Sequence, residues 1–247
     1  MPPARPLLHR PSAARLVAAL AGRGRAAPAR LQAVVAMSTM AMPPGARFAE
    51  AADRNKEPIA EVLCHWLGGN RGTLVEVAAG TGQHAAFFAQ KLPDLEWQPT
   101  NVEDEDFGSV AAWSSSVPNV RPPVLLDAST PASEWPFEAA SCVGVLCVNM
   151  THIAPFSATE GLLAGAGRLL QPGGLLIIYG PFMVDGKCTT DSNTAFHQRL
   201  QSQNPDWGYR DVAELEAIGG THGLALEKRQ EMPANNFALI FRKAPSA

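Results

Sequence analysis

The sequence predicts an open α/β fold: a seven-stranded, mostly parallel sheet with helices on both faces and an antiparallel hairpin at its end. Three observations carry this expectation. Apolar stretches of strand length alternate with stretches of helical periodicity from Leu74 onward. One of them, SCVGVLCVNMTHI, is continuously apolar at its core, as a central parallel strand covered on both faces must be. The last two strand-like stretches, LALEKRQEM and FALIFRK, are joined only by Pro233-Ala234-Asn235-Asn236. That link is too short for a crossover, so the pair must be antiparallel.

Each element has its own local signal. FAEAADRNKEPIAEVLCHWL shows helical periodicity through Ile59, Val62, Leu63 and Trp66, with Pro58 expected near the first turn as the break from a preceding segment. Gly68-Gly69-Asn70 ends that helix. Leu74–Ala78 is the first strand, followed by a glycine turn and a helix to about Leu92. EWQPTNVED begins as a second strand and ends in acids; Phe107–Ser116 is a helix; PPVLLDAS holds a short third strand. After the central fourth strand, ATEGLLAGAGRLL is a helix, Pro172-Gly173-Gly174 turns the chain, and LLIIYGPF is a fifth strand. DSNTAFHQRLQSQNPDWGYRD is a polar insertion of helix then loop, and DVAELEAIGGTHG is the last helix before the hairpin.

The first 49 residues are of a different kind. No Asp or Glu precedes Glu50, and the stretch holds seven arginines and no lysine. Residues 1–47 read as an organellar transit peptide, with a chloroplast favoured over a mitochondrion, and residues 48–247 as one domain. A disordered basic tail is the alternative, and translation from Met37, Met40 or Met42 would leave the protein in the cytoplasm. Without that stretch, 23 acids face 13 Lys and Arg, a net charge near −10. An acidic body argues against a nucleic-acid partner held on a broad basic face. No uncharged apolar run is long enough for a membrane-spanning helix. Cys64, Cys142, Cys147 and Cys188 form no C-x-x-C pair and no zinc spacing, so buried reduced thiols are expected and no metal.

The glycine turn poses the functional question. Gly80-Thr81-Gly82-Gln83-His84-Ala85 fits the dinucleotide pattern G-x-G-x-x-G/A and equally the first motif of S-adenosylmethionine-dependent methyltransferases. Glu76 occupies the acid of the methyltransferase pattern acid-x-Gly-x-Gly-x-Gly, with Ala78 in place of its first glycine. Asp127 ends the third strand, where methyltransferases of this class carry an acid for the adenine amino group. The terminal hairpin matches their reversed last strand. Against this, the ribose carboxylate expected after the second strand is replaced by Asn101, with Glu103 and Asp104 close behind.

The stretches AADRNKEPI, EVAAGTGQHAAFFA, EWQPTNVED, TEGLLAGAGRLLQPGGLLIIYGPF, NPDWGYRD and EMPANNFALIFRK together resemble methyltransferase-like protein 26 and its bacterial and plant relatives, a family also catalogued as a domain of unknown function. The resemblance runs from Phe48 to Lys243 and implies a class I S-adenosylmethionine-dependent methyltransferase fold, with no acceptor specified. The family carries Asp where this chain has Asn101.

Methyl transfer needs a positioned, desolvated acceptor, and a base only where the acceptor must lose a proton. Candidates follow the fourth and fifth strands. Asn149 would accept from an acceptor amine or hold the methyl region, His152 would be a general base or else a helix-start or packing histidine, and Tyr179 would line the end of the fifth strand or simply pack there. Arg54 and Asn55 precede the helix in a region that folds over the cofactor in this class; an i,i+3 ion pair of Arg54 with Glu57 is the structural alternative. Asn235 and Asn236 would edge a lid over the acceptor, or simply tolerate positive φ in a turn. Trp207 and Arg210 would wall an aromatic or anionic acceptor, or their loop would simply cap the sheet. The cofactor residues expected are thus Glu76, Ala78, Gly80, Gly82, Asn101, Glu103, Asp127, Asn149, Arg54 and Asn55. The leading reading is a small-molecule methyltransferase using S-adenosylmethionine; a non-catalytic methyltransferase-like module and a nicotinamide-dependent oxidoreductase are the alternatives.

Overall fold

The computed structural model describes residues 42–245. The expected transit peptide therefore lies outside the described residues as far as Ala41. Residues 42–47 are described and are packed. Ala46 is buried, the Arg47 N–H donates to Ser109 Oγ, and the Arg47 carbonyl accepts from Trp113 Nε1. Packing thus begins on the N-terminal side of the boundary drawn at Phe48.

Helix α1 (Glu50–Leu67) runs unbroken through Pro58, which the sequence placed at a break. Pro58 removes one backbone donor from the ladder. Burial on both sides of it, by Ala52 before and by Ile59, Ala60, Val62, Leu63 and Leu67 after, keeps the helix in one piece. There follow β1 (Gly72–Val77), α2 (Gln83–Lys91), β2 (Leu95–Asn101), α3 (Phe107–Ser114), β3 (Val124–Leu125), β4 (Cys142–Val148), α4 (Phe156–Leu169) and β5 (Leu170–Gly180). Pro172-Gly173-Gly174 does not separate a turn from a strand. Gly173 takes φ +78° within β5, and the β4–β5 register slips between Cys142 and Gly144 to absorb it. The polar insertion adds β6 (Phe182–Val184), β7 (Lys187–Cys188), α5 (Asp191–Gln203) and β8 (Arg210–Asp211), before α6 (Val212–Thr221), β9 (Leu224–Met232) and β10 (Asn236–Lys243).

The main sheet has the order β3-β2-β1-β4-β5-β10-β9, parallel from β3 to β5, with β10 antiparallel to both of its neighbours. This is a Rossmann-like α/β fold with a seven-stranded, mostly parallel sheet and an antiparallel terminal hairpin, as expected. A small second sheet, β7-β6-β8, was not expected. Its strands of two or three residues are too short to show a period. Every residue of β4 is buried, as its continuous apolar run requires. The exposed edge strand β9 instead carries Glu227, Lys228, Arg229 and Glu231, charges that discourage pairing with another sheet.

The order of strands reverses between β1 and β4, which opens a crevice at their carboxyl ends. Two packing details set its shape. On one side, Val75 and Val77 of β1 join a core with Leu162, Leu163 and Ala166 of α4. On that helix a Cβ on Gly161 would lie 1.8 Å from the Ala128 carbonyl oxygen, and one on Gly165 would lie 2.3 Å from the Trp135 ring. The glycines of TEGLLAGAG therefore form a groove that seats the loop after β3 and fixes Asp127 at the crevice. Of the cysteines, Cys142 and Cys147 are buried and free as expected, but Cys64 is exposed and Cys188 half-buried. Among the described residues, no helix is long and apolar enough to cross a membrane.

Candidate active site

A cavity of about 800 Å3 fills the crevice, within the size range of small-molecule and cofactor sites. Its walls are the loops after β1 (77–81), β2 (101–106), β3 (126–129) and β4 (148–155), with Ala49, Ala51 and Ala52 at the start of α1 and with Trp207. Among the described residues the lining includes Glu103, Glu105, Asp106 and Asp127 and no Lys or Arg. Asp106 is paired with Arg47 at 2.9 Å.

The two glycines of the turn do different work. Gly80 has φ +55° and would meet nothing within 4 Å if given a Cβ, so its missing side chain leaves room in the cavity. Gly82 has φ +82°, and its Cβ would strike the Val110 Cα at 2.6 Å. It serves the packing of α2 against α3 and does not line the cavity, contrary to its expected cofactor role. Ala78 lines the cavity and takes φ +59°, a left-handed conformation unusual for alanine.

Asn101 lies at the end of β2 where a ribose acid is expected, and it lines the cavity. Its amide is engaged: the Gly80 N–H donates to Oδ1 at 2.7 Å, and Nδ2 donates to the Gly80 carbonyl at 3.0 Å. A carboxylate could make only the first of these bonds, so asparagine suits the glycine turn as a two-point clamp. The Gly82 N–H is also spent, on the Ala79 carbonyl.

The acids divide in the same way. Glu76 does not line the cavity. It is 1% exposed, accepts from Trp97 Nε1 at 2.6 Å, and burial pushes its carboxyl up to about 7. It joins β1 to β2 from within, which corrects its expected place beside the cofactor. Asp127 and Glu103 do line the cavity. Asp127 Oδ1 accepts from the Ser129 N–H and hydroxyl in a local turn, while Oδ2 has no partner among the described residues.

Beyond β4 the expected site scatters. Asn149 lines the cavity with φ +59°, its N–H bonded to the Tyr179 carbonyl, and its side-chain amide makes no hydrogen bond among the described residues. His152 does not line the cavity. It is 6% exposed, sits edge-on to Phe196 and Tyr209, and its Nδ1 is buried without a partner. Burial and the nearby Arg210 charge lower its pKa to about 4, so it is neutral at physiological pH and does not fit a base tuned near 7. Trp207 lines the cavity. Arg210 does not: its guanidinium donates to the carbonyls of Thr151, Ala154 and Asp206, tying the insertion to the loop after β4. Arg54 is exposed and pairs with Glu50 at 3.4 Å, not with Glu57 and not over the cavity.

Asn55, Tyr179 and Asn236 meet one another away from the cavity lining. The Tyr179 hydroxyl takes hydrogen bonds from Asn236 Nδ2 at 3.1 Å and from Asn55. Asn55 Oδ1 is 2.7 Å from His84 Nε2, and His84 does line the cavity. The hairpin turn puts Asn235 at φ +57°, as its residue type allows, but Ala234 at φ +59° shares that role and Asn236 is extended. The Asn235 carbonyl accepts from Asn193 Nδ2, so this residue ties the hairpin to α5. Of the expected site residues Arg54, Asn149, His152 and Asn236, only Asn149 reaches the cavity.

Several wall residues escaped the sequence reading. Gln83 Oε1 accepts from the Ala49 N–H, and Ser109 Oγ, besides accepting from Arg47, donates to the Thr81 carbonyl. Together they pin residues 47–52 across the glycine turn as one wall of the cavity. The polar residues in GTGQH were the available signal: buried Gln83 and His84 directly after a glycine turn need partners.

The family described as "Protein of unknown function (DUF938)" matches residues 46–243, and the chain belongs to it. Among solved structures, an O-methyltransferase family protein from Burkholderia thailandensis superposes with a TM-score of 0.67 at 18% identity, over 80% of this chain and 59% of that one. The S-adenosylmethionine-dependent methyltransferase SibL gives a TM-score of 0.63 at 15% identity, over 78% of this chain and 56% of that one. The YcgJ protein from Bacillus subtilis gives 0.59 at 13% identity, over 78% of this chain and 100% of that one. The chain thus spans less than two thirds of the first two, and the shared feature is the methyltransferase-like fold.

Proposed function

We propose that this DUF938 protein is a methyltransferase that uses S-adenosylmethionine on a small-molecule acceptor, and that it belongs with the relatives of methyltransferase-like protein 26 that its motifs resemble. The observation that carries the reading is the charge of the cavity: among the described residues four carboxylates, one of them paired with Arg47, and no Lys or Arg line it. Such a wall favours a cationic ligand over a diphosphate. The glycine turn points the same way. A dinucleotide pyrophosphate is held on the free N–H groups of such a turn, whereas here the Gly80 and Gly82 N–H groups are already bonded. A nicotinamide cofactor is correspondingly disfavoured.

The residues fit the sulfonium cofactor at several points. Gly80 and Ala78 give close backbone approach, the Asp127 Oδ2 is available to an adenine amino group, and Glu103 takes the place of Asn101 for the ribose hydroxyls. When bound, S-adenosylmethionine supplies a methyl carbon on a positively charged sulfur that departs as a neutral thioether. The chain's part is to orient the acceptor and exclude water, with Asn149 and Trp207 on the acceptor side of the cavity.

One observation favours a second reading, a cofactor-binding module without turnover. The ribose position is filled by an asparagine whose amide is committed to Gly80. Calorimetric titration of the full chain with S-adenosylhomocysteine, and separately with NAD, tests both. Micromolar binding of the first and no heat from the second is the expected result; NAD binding alone would overturn the methyltransferase reading. Binding without methyl transfer to any fraction of a metabolite extract would favour the module.

A further inference from the structure

The cavity has two halves of different chemistry. Its titratable lining, His84, Glu103, Glu105, Asp106 and Asp127, comes from the segments after β1, β2 and β3. Across the point where the strand order reverses, the lining is residues 148–150, 153–155 and 158 with Trp207. Among these described residues none is titratable, and the Asn149 amide and the Trp207 indole N–H are the only polar side-chain groups. This half is also apolar and partly open. Of the five large apolar side chains left exposed among the described residues, Ile153 lines this half and Val102 faces the cavity from the other, so an apolar ligand would cover both. Trp207 supplies an aromatic wall on an anchored loop. Its N–H donates to the Asn204 carbonyl at 3.0 Å, the Gly208 N–H donates to the His152 carbonyl at 3.0 Å, and Arg210 donates to the carbonyls of Thr151 and Ala154.

The groups nearby that would take a proton are enclosed, occupied or distant. His152 and Tyr179 do not line the cavity; His152 Nδ1 is enclosed, and the Tyr179 hydroxyl is held by Asn236. His84 does line it, but its Nε2 lies 2.7 Å from Asn55 Oδ1 and burial lowers its pKa to about 4. The carboxylates stand on loops whose strands, β2 and β3, are two and three places from β4, roughly 10 and 14 Å. The strand between, β1, carries the glycine turn that seats the cofactor in the reading above. A general base must come within about 3 Å of the proton it takes. The half of the cavity formed by the loop after β4 and Trp207 is therefore a place where nothing removes a proton.

We propose that the methyl acceptor is an uncharged aromatic heterocycle that reacts at a pyridine-type ring nitrogen, seated against Trp207, Met150 and Ile153. This rests on the methyltransferase reading above and adds the acceptor class to it. Such a nitrogen has a lone pair in the ring plane and no hydrogen to lose, and it is unprotonated at neutral pH, so it needs no base. In the transfer, the lone pair forms the nitrogen–methyl bond as the carbon–sulfur bond breaks, the bonding pair stays on sulfur, and the positive charge passes from sulfur to the ring. No proton is released. The carboxylates of the other half thus face a cation both before and after the step, and an aromatic wall suits the cationic ring formed. A hydroxyl, thiol or amine acceptor has a proton to shed on a side of the cavity that has no group to take it. An anionic acceptor meets no Lys or Arg in the described lining, and the guanidinium of Arg210 is spent on three carbonyls.

The test uses the full chain with isoquinoline as the probe, naphthol as a hydroxyl compound of the same shape, and tetrahydroisoquinoline as an amine. Binding of isoquinoline to the complex with S-adenosylhomocysteine is read from the broadening of its proton resonances. Trp207→Leu should weaken it at least about tenfold, and Trp207→Phe, which keeps an aromatic face, should retain most of it. Both variants should bind S-adenosylhomocysteine as wild type does in calorimetry, which also shows that they are folded. With methyl-labelled S-adenosylmethionine, isoquinoline should become its N-methyl cation with no proton released to an indicator dye. Naphthol and tetrahydroisoquinoline should react at least about a hundredfold more slowly, the loss expected where a needed base is missing. No isoquinoline binding, binding unchanged in Trp207→Leu, or either control methylated as fast as isoquinoline would each overturn the acceptor class. Should Trp207→Leu fold poorly, the comparison of the three probes on the wild-type chain decides alone. S-adenosylhomocysteine binding with no transfer to isoquinoline sinks the acceptor class and leaves the cofactor reading standing. Absence of S-adenosylhomocysteine binding sinks the methyltransferase reading, and the acceptor class with it.

Discussion

The carboxyl edge of the sheet has two halves that use polar residues in opposite ways. After β1, β2 and β3, side chains such as Glu103 and the Oδ2 of Asp127 face the cavity uncommitted. After β5 and through the insertion, polar side chains are turned inward and spent on the chain itself. Arg210 holds three carbonyls, Asn236 and Asn55 hold Tyr179, and Asn193 holds the hairpin. The first half is shaped to meet a ligand and the second to hold a wall in place. A polar residue in a distinctive motif is thus no guide by itself to binding. What matters is whether the fold leaves its donors and acceptors free.

Substitutions that set a committed residue against an open one sharpen this contrast. The largest effect belongs to the glycine turn. Gly82→Ala drives a Cβ into the Val110 backbone at a left-handed φ and should cost about 3 kcal/mol or more in denaturant unfolding. Gly80→Ala meets only the left-handed penalty of about 1–2 kcal/mol, and its effect should appear as weakened S-adenosylhomocysteine binding. Equal stability losses would erase the distinction between the two glycines.

Glu76 gives the next effect, through pH. Its folded pKa lies near 7, above its unfolded value, so the folded state binds the extra proton between roughly pH 4.3 and 7. Stability from this group is present at the acid end of that window and is lost as pH rises through it. Glu76→Gln keeps an acceptor for Trp97 and carries no charge. It should flatten the fall and be more stable than wild type at pH 8, by up to about 3 kcal/mol. Thermal unfolding at a series of pH values reads this directly; a parallel fall in the variant would place the dependence elsewhere.

Arg210→Ala removes bonds to three backbone carbonyls and should cost about 2 kcal/mol while leaving cofactor affinity unchanged. A change in affinity without a loss of stability would return Arg210 to the ligand. Asn101→Asp keeps the Gly80 N–H bond and sets a carboxylate against the Gly80 carbonyl. It should destabilise by about 1–2 kcal/mol and, once an oxygen is turned toward the ribose, tighten S-adenosylhomocysteine binding. Arg54→Ala should change stability by less than about 0.5 kcal/mol, because its pair with Glu50 is exposed on both sides.

The same contrast explains what the sequence disclosed. Strand order, the central β4 and the reversed β10 follow from periodicity and loop length, which are properties of contiguous residues. Gly80, Asp127, Asn149 and Trp207 were legible because their motifs sit at the carboxyl ends of strands or in the loop above them, where this fold exposes side chains. Glu76 misled because a strand's alternation decides which face an acid takes, and here that face is filled by Trp97 from β2. Arg210 and Asn236 misled because their partners lie 56 and 57 residues away in sequence. Pro58 misled because tertiary burial of α1 overrode a local breaker.

One wall of the cavity has a consequence in time. Residues 47–49 leave the ribosome before any of their anchors exist. Gln83 follows Ala49 by 34 residues, and Ser109 and Trp113 follow Arg47 by 62 and 66. The segment nearest the beginning of the domain can therefore be seated only after β1, α2, β2 and α3 have been synthesised. The pocket acquires its wall late in assembly, from a stretch made before every element that holds it.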